Sequence, residues 1–178
     1  MRVLRGYARL IDALNEKIGL IVAWLTTVLV LNVFFDTVMR YTLQKGSVGM
    51  QELEWHIFSV IFLIGAAYTL KHNGHVRVDI IYTKLSDRAK AWVDLIGTFA
   101  FLIPFCIIVI YSTQSFIQNS WAVKEMSPDP GGLPARYILK SMIPLGFFLL
   151  LLQGLAEAVK SLIVLTAGKT EKGKHQNG

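Results

Sequence analysis

The chain has 178 residues, of which 53% are hydrophobic and 17% charged, against about 25% charged in an ordinary soluble domain. That surplus of apolar material excludes a simple soluble domain. The formal charge of +6 raises nucleic acid as a partner, but the cations stand in clusters between apolar runs. That is the pattern of loops meeting anionic lipid, so membrane lipids and not nucleic acid are the expected contact.

The N-terminal segment carries Val3, Leu4, Tyr7, Leu10, Ile11, Leu14 and Ile18 at helical spacing, with Arg2, Arg5 and Arg9 largely elsewhere. Two readings stand side by side: an amphipathic helix on the cytoplasmic leaflet, or an extension of the first span. That span, Ile18 to Phe35, is uncharged between Lys17 and Asp36 and approaches the roughly 20 residues a bilayer core requires. It is too long for a signal-peptide core, and no small-residue cleavage site follows, so it is expected to be retained.

The second span, Trp55 to Leu70, is short. Glu52 and Glu54 are therefore expected on its first turn, at the positive end of the helix dipole. The stretch KHNGHVRVDI follows, Lys71 to Ile80. Asn73-Gly74 lets the chain turn, and His75, Arg77 and Asp79 alternate with Val76, Val78 and Ile80, as in an extended corner at the headgroups. His72, His75 and Asp79 have ligand-like spacing, but Gly74 interrupts any helix and Lys71 and Arg77 repel a cation, so no metal site is expected. VDIIYTKL reads as a short surface helix, and Ser86 as an N-cap with Asp87 in the next helix's first turn.

The third span runs from Leu95 to about Tyr111, with a kink expected at Pro104. Cys106, the one cysteine, has no disulfide partner in the chain and reads as a small buried hydrophobe. Pro128, Pro130, Pro134, Gly131 and Gly132 keep the outer loop, Asn119 to Tyr137, irregular. Trp121 and Tyr137 suit interfacial anchors. The fourth span, Ser141 to Ala156, has Pro144 near its start, where proline costs little, and Lys140 and Lys160 placed to snorkel outward. The tail from 169 is polar and expected to be disordered.

The expected fold is thus an all-α integral membrane protein in one domain, residues 1–168. Its four spans cover about 18–39, 52–70, 88–118 and 138–165, with short amphipathic surface helices and a polar tail at 169–178. Orientation follows from Lys and Arg in short loops. One side holds Arg2, Arg5, Arg9, Lys17, Lys71, Lys84, Lys90, Arg77, Arg88, Lys160, Lys169, Lys172 and Lys174; the other only Arg40, Lys45, Lys124, Arg136 and Lys140. Both termini are expected in the cytoplasm.

Catalytic and cofactor chemistry finds little purchase. His56, His72, His75 and His175 lie at or beyond the span edges, which disfavours haem, and no serine, cysteine or lysine has an activating context. The chain is expected to be no enzyme and to hold no cofactor. A coupled carrier exposes an ionisable group mid-span, whereas Asp36, Arg40, Glu52, Glu54, Asp94, Lys140 and Glu157 all sit near span ends. Mid-span polarity is limited to Thr26, Thr27, Asn32, Ser59, Ser112 and Gln153. This points to a helper subunit beside a larger partner. Gly19, Gly65, Ala66, Ala67 and Gly97 allow close helix approach, to that partner or within the chain. The alternatives are a redox membrane anchor and an autonomous small exporter.

Three stretches carry a family resemblance: VFFDTVMRY closing span one, Gln51 to Gly97 with its acidic start, GAAY end, GHVRVD loop and LSDR turn, and KSMIPLGFFLLLLQGLAEAV. Together they resemble the small membrane subunit (DctQ type) of tripartite ATP-independent periplasmic (TRAP) transporters. The resemblance implies a bacterial inner-membrane uptake system, generally sodium-coupled, for an organic anion. In it a large multi-span subunit carries the transport sites, and a periplasmic binding protein delivers the substrate. The outer loop SPDPGGLPARY is similar to the branch that takes up carboxylates such as 2-oxo acids. On this basis Asp36, Arg40, Glu52, Glu54, Arg77 and Asp79 are candidate contacts between helices or to the large subunit. Lys124, Glu125, Asp129 and Arg136 are candidates for docking the binding protein, and Glu157 and Lys160 for an inner-interface pair.

Overall fold

In the computed structural model, residues 2–74, 82 and 84–174 are described, the last eight by backbone only. The chain is all-helical across them: α1 (Arg2–Thr42), α2 (Val48–Lys71), α3 (Asp87–Gly97), a π-helical turn (Thr98–Leu102), α4 (Ile103–Ala122) and α5 (Arg136–Lys174). Four helical stretches are long and apolar enough to cross a membrane, the third formed by α3, the π turn and α4 together.

Each boundary has a local cause. Ser47 caps α2 by accepting the Met50 N–H, and Ser86 caps α3 by accepting that of Ala89, with Asp87 in the first turn. Asn73 takes a left-handed φ of 54°, and the Gly74 N–H returns to the Thr69 carbonyl, closing α2 where the Asn-Gly pair predicts a turn. At Pro104 the ladder had to lose a donor and avoid the ring. The chain meets this with the wider π turn just ahead, where the Ile103 N–H reaches the Thr98 carbonyl.

Three boundaries differ from expectation. Because Ser47 starts α2 at Val48, Glu52 lies a turn deeper than the helix start, and it is buried. Because α5 starts at Arg136, Pro144 falls inside the helix and not near its beginning. The same helix continues to Lys174, into the 169–178 segment, whose residues 175–178 lie outside the described residues. The expected corner and surface helix at 75–85 also fall almost wholly outside them, and with them His75, Arg77 and Asp79.

α5 is the hub. It packs against α1, α2, α3 and α4; α1 also packs on α2, whereas α4 leans chiefly on α5. Of the two readings of the N-terminal segment, the structure takes the extension: α1 is one helix of 41 residues, about 60 Å long. Its packed stripe is Ala8, Ile11, Asn15 and Gly19. Ala8 and Ile11 meet Ala156 of α5, with Tyr7, Leu152 and Val159 around them. The large residues Val3, Leu10 and Leu14 stay exposed. Small residues let membrane helices approach closely, and this recurs along α5. A Cβ on Gly146 would lie 2.5 Å from the Leu63 carbonyl oxygen, and one on Gly154 2.2 Å from Leu102 Cδ2.

Candidate functional site

Polar side chains gather at the two ends of the bundle. At the end holding the loop between α4 and α5, the buried Glu52 carboxylate collects three donors: the Ser127 hydroxyl at 2.6 Å, the Leu133 backbone N–H at 2.6 Å and Arg136 Nη2 at 2.7 Å. Arg136 also lies over the Trp55 ring, 5.7 Å from its centroid. The neck of the loop is tied by Ser127 N–H to the Leu133 carbonyl and by Arg136 N–H to that of Glu125. Glu125 pairs with Lys140, whose ammonium sits 3.9 Å from the Phe116 ring centroid. Trp121 and Tyr137 meet edge to face at 4.5 Å.

The candidate contact residues therefore separate. Asp36 and Arg40 pair with each other along α1, one turn apart. Glu52 joins neither; its partners come from the loop and α5. What ties α1 to α2 here is Asn32, whose amide donates to the Met50 carbonyl at 3.2 Å. Of the docking candidates, Glu125 and Arg136 are held in ion pairs within the chain, while Lys124 and Asp129 are exposed.

The Lys140 ammonium beside Glu125 holds its carboxyl below the usual glutamate value. A carboxylate with a depressed pKa stabilises the fold above its unfolded pKa and ceases to do so as pH falls through the folded one. Glu125→Gln is therefore expected to lower the melting temperature more at pH 7 than at pH 3, as a thermal scan of the purified protein at both pH values would read out. An equal deficit at both pH values would contradict the linkage.

At the opposite end, α1, α2 and α5 share a second network. The Asn15 amide donates to Gln153 Oε1 at 2.7 Å, and Gln153 Nε2 donates to Asp12 Oδ1 at 2.9 Å and Glu157 Oε1 at 2.8 Å. Lys160 Nζ reaches both of those acids at 2.8 Å. Asn15 and Gln153 are fully buried. Glu16 of α1 pairs with Lys71, and His72 Nε2 lies 3.0 Å from the same carboxylate. Glu157 and Lys160, three residues apart, are thus joined, but as part of a larger set. Sequence reasoning missed Asp12, Asn15 and the Glu125–Lys140 pair; the signal available was a buried-position amide, Gln153, that needed a partner.

Between the ends, polar groups turn to their own backbone. Thr26, Ser59 and Thr113 donate to carbonyls four residues back at 3.2, 2.7 and 2.8 Å. Cys106 is buried. A cavity of about 690 Å³ opens where α2, α3 and α5 diverge, and its walls, Leu70, Val93, Phe101, Leu102 and Phe105 among them, are mainly apolar. Among the described residues no three His, Cys, Asp or Glu side chains group as metal ligands.

Comparison with known proteins agrees with this architecture. The chain is 26% identical over 161 residues to the ectoine TRAP transporter small permease protein TeaB of Halomonas elongata, covering 89% of this chain and 81% of that protein. It is 26% identical over 131 residues to a putative TRAP transporter small permease protein of Haemophilus influenzae, covering 74% and 80%. Residues 29–163 match the family model of the DctQ component of tripartite ATP-independent periplasmic transporters, so the chain belongs to that family, as a multi-pass inner-membrane small permease subunit and not an enzyme.

Proposed function

We propose that this subunit serves a sodium-coupled uptake system for an organic anion by bracing the fixed scaffold of a large elevator-type subunit and helping to dock the periplasmic binding protein. Both termini then face the cytoplasm, in keeping with the excess of Lys and Arg at that end. The observation that carries the reading is the division of polar groups. Charged networks sit at the two ends, while Thr26, Ser59 and Thr113 in between bond to backbone carbonyls. A membrane protein built this way offers a solute no mid-span ionic site of its own among the described residues. It is suited to stiffening a neighbour.

Arg40, held by the buried Asp36, is proposed to contact the large subunit together with Glu54, Arg77 and Asp79, and Lys124 and Asp129 the binding protein. A carboxylate substrate, a 2-oxo acid among the possibilities, rests on the resemblance of the outer loop. Neither the redox-anchor nor the exporter reading draws support from the family match. Uptake of a labelled substrate should require all three components in sodium-loaded proteoliposomes and fall to background when this chain is left out. Uptake by this chain alone, or by the other two without it, would refute the accessory role.

A further inference from the structure

The loop of residues 123–135 is irregular in sequence yet closely determined in structure. Its determinant is a side chain from another helix. Glu52 of α2 stands 5% exposed, 75 to 84 residues away from the donors it receives. Those donors come from the start of the loop (Ser127), its far side (Leu133) and the helix that follows (Arg136). One carboxylate therefore sets three points of the loop at once, with charge-assisted bonds.

The surrounding space agrees. A Cβ on Gly132 would sit 2.8 Å from Glu52 Oε2 and 2.3 Å from Ser127 Oγ, and one on Gly49 3.0 Å from the Gly131 carbonyl oxygen. The backbone is thus drawn tight onto the first turns of α2. Among the side chains the loop then presents outward are two large apolar ones, Val123 at 73% and Met126 at 63% exposure, beside the exposed Lys124 and Asp129. These lie past the last helical turn of α4, which ends at Ala122, on the segment that Glu52 fixes. A preset loop carrying exposed apolar side chains is the arrangement in which a protein partner gains contact without the cost of ordering the segment.

We infer that Glu52 is a positioning residue, a latch that holds the 123–135 loop in its binding-ready shape, and that Val123 and Met126 are the apolar contacts this loop offers to the periplasmic binding protein. The inference rests on the reading above that this end of the bundle faces the periplasm. Glu52 acts through the loop and touches neither substrate nor partner.

The test uses the complete three-component system in proteoliposomes, titrated with substrate-loaded binding protein. Glu52→Gln keeps the size but weakens the charge-assisted bonds. The concentration of binding protein giving half-maximal uptake should rise by about tenfold or more, the expected result of moving the ordering of even one or two residues from folding to binding. The shift should lie in half-saturation and not in the maximal rate. Hydrogen exchange at the Leu133 amide should speed up in the same variant. Val123→Asp and Met126→Asp should raise half-saturation while leaving that amide protected.

An amide that stays protected in Glu52→Gln overturns the latch. Faster exchange with unchanged half-saturation overturns its link to docking, and wild-type half-saturation in both aspartate variants overturns the apolar contacts. If Glu52→Gln does not assemble, Ser127→Ala, which removes one donor and keeps the ion pair, carries the same comparison with a smaller shift. In every case the wild-type complex is measured with and without this subunit. Dependence on the subunit together with a wild-type Glu52→Gln sinks the latch alone, whereas independence sinks the accessory role.

Discussion

Gly146→Val should separate α2 from α5 and lower the melting temperature of the purified subunit by roughly 2–12 °C, the consequence of overpacking by about 1–3 kcal/mol in a chain of this size. The reason is geometric. A Cβ at Gly146 meets the backbone of Leu63, 2.5 Å from its carbonyl oxygen and 2.9 Å from its carbonyl carbon. A flexible side chain could swing aside, but a helix backbone cannot, so the two helices must part along their length. Because α5 is the element on which α1, α2, α3 and α4 all rest, the loss should spread to assembly with the large subunit. Gly6→Ala is the internal comparison. Nothing lies within 4 Å of a Cβ there, and replacing a helical glycine by alanine should raise stability by about 0.5–1 kcal/mol. A valine at 146 that melted with wild type would show that the close approach is not required.

Gln153→Leu should destabilise the bundle by about 1–2 kcal/mol, the range for stranding a buried polar group tempered by the smaller values typical of membrane bundles. Gln153 is fully buried and sits at the middle of its network, accepting from Asn15 and donating to Asp12 and Glu157. Its removal leaves the Asn15 amide with neither end matched, since the Asn15 Oδ1 already lacks a hydrogen-bond partner among the described residues. Asn15→Leu should cost a similar amount, and the double variant less than the sum of the two, with a coupling of about 0.5–1.7 kcal/mol. Equilibrium unfolding in mixed micelles measures all three. Strict additivity would mean that the two amides do not act as a unit.

The two networks also explain why sequence reasoning reached some features and not others. Ser86 and the Asn73-Gly74 turn were legible because a cap or a turn is a property of a few adjacent residues. The effect of Pro104 was legible as a disturbance, though its form, a π turn ahead of the proline, was not. Glu52 was legible as an acid near a span edge. Its partner was not, because Arg136 lies 84 residues away and the cation Arg40 was equally plausible by topology. Arg40 proved to be engaged along its own helix instead.

The faces of the helices were the least legible part. In a soluble helix the large apolar stripe marks the buried side. The same rule applied to residues 3–18 selects Tyr7 and Ile11, which pack, but also Val3, Leu10 and Leu14, which the structure leaves exposed, and it passes over Ala8, Asn15 and Gly19, which pack as well. Lipid is as apolar as leucine, so no hydrophobic drive separates the two faces within a membrane, and close approach by small residues and shared polar groups selects the packed one.

By itself, then, the sequence determined four spans, their flanking charges and the family, because span length, charge-free runs and local turns are written in consecutive residues. Only the tertiary structure decided that α5 is the hub, that Gly146 is a point of backbone contact, and that Glu52 gathers the outer loop while Gln153 gathers Asp12, Asn15 and Glu157. Apart from Gln153 and Glu157, four residues apart on α5, those choices join residues 75 to 141 positions apart, and nothing in the local pattern of an all-apolar helix distinguishes the face that meets protein from the face that meets lipid.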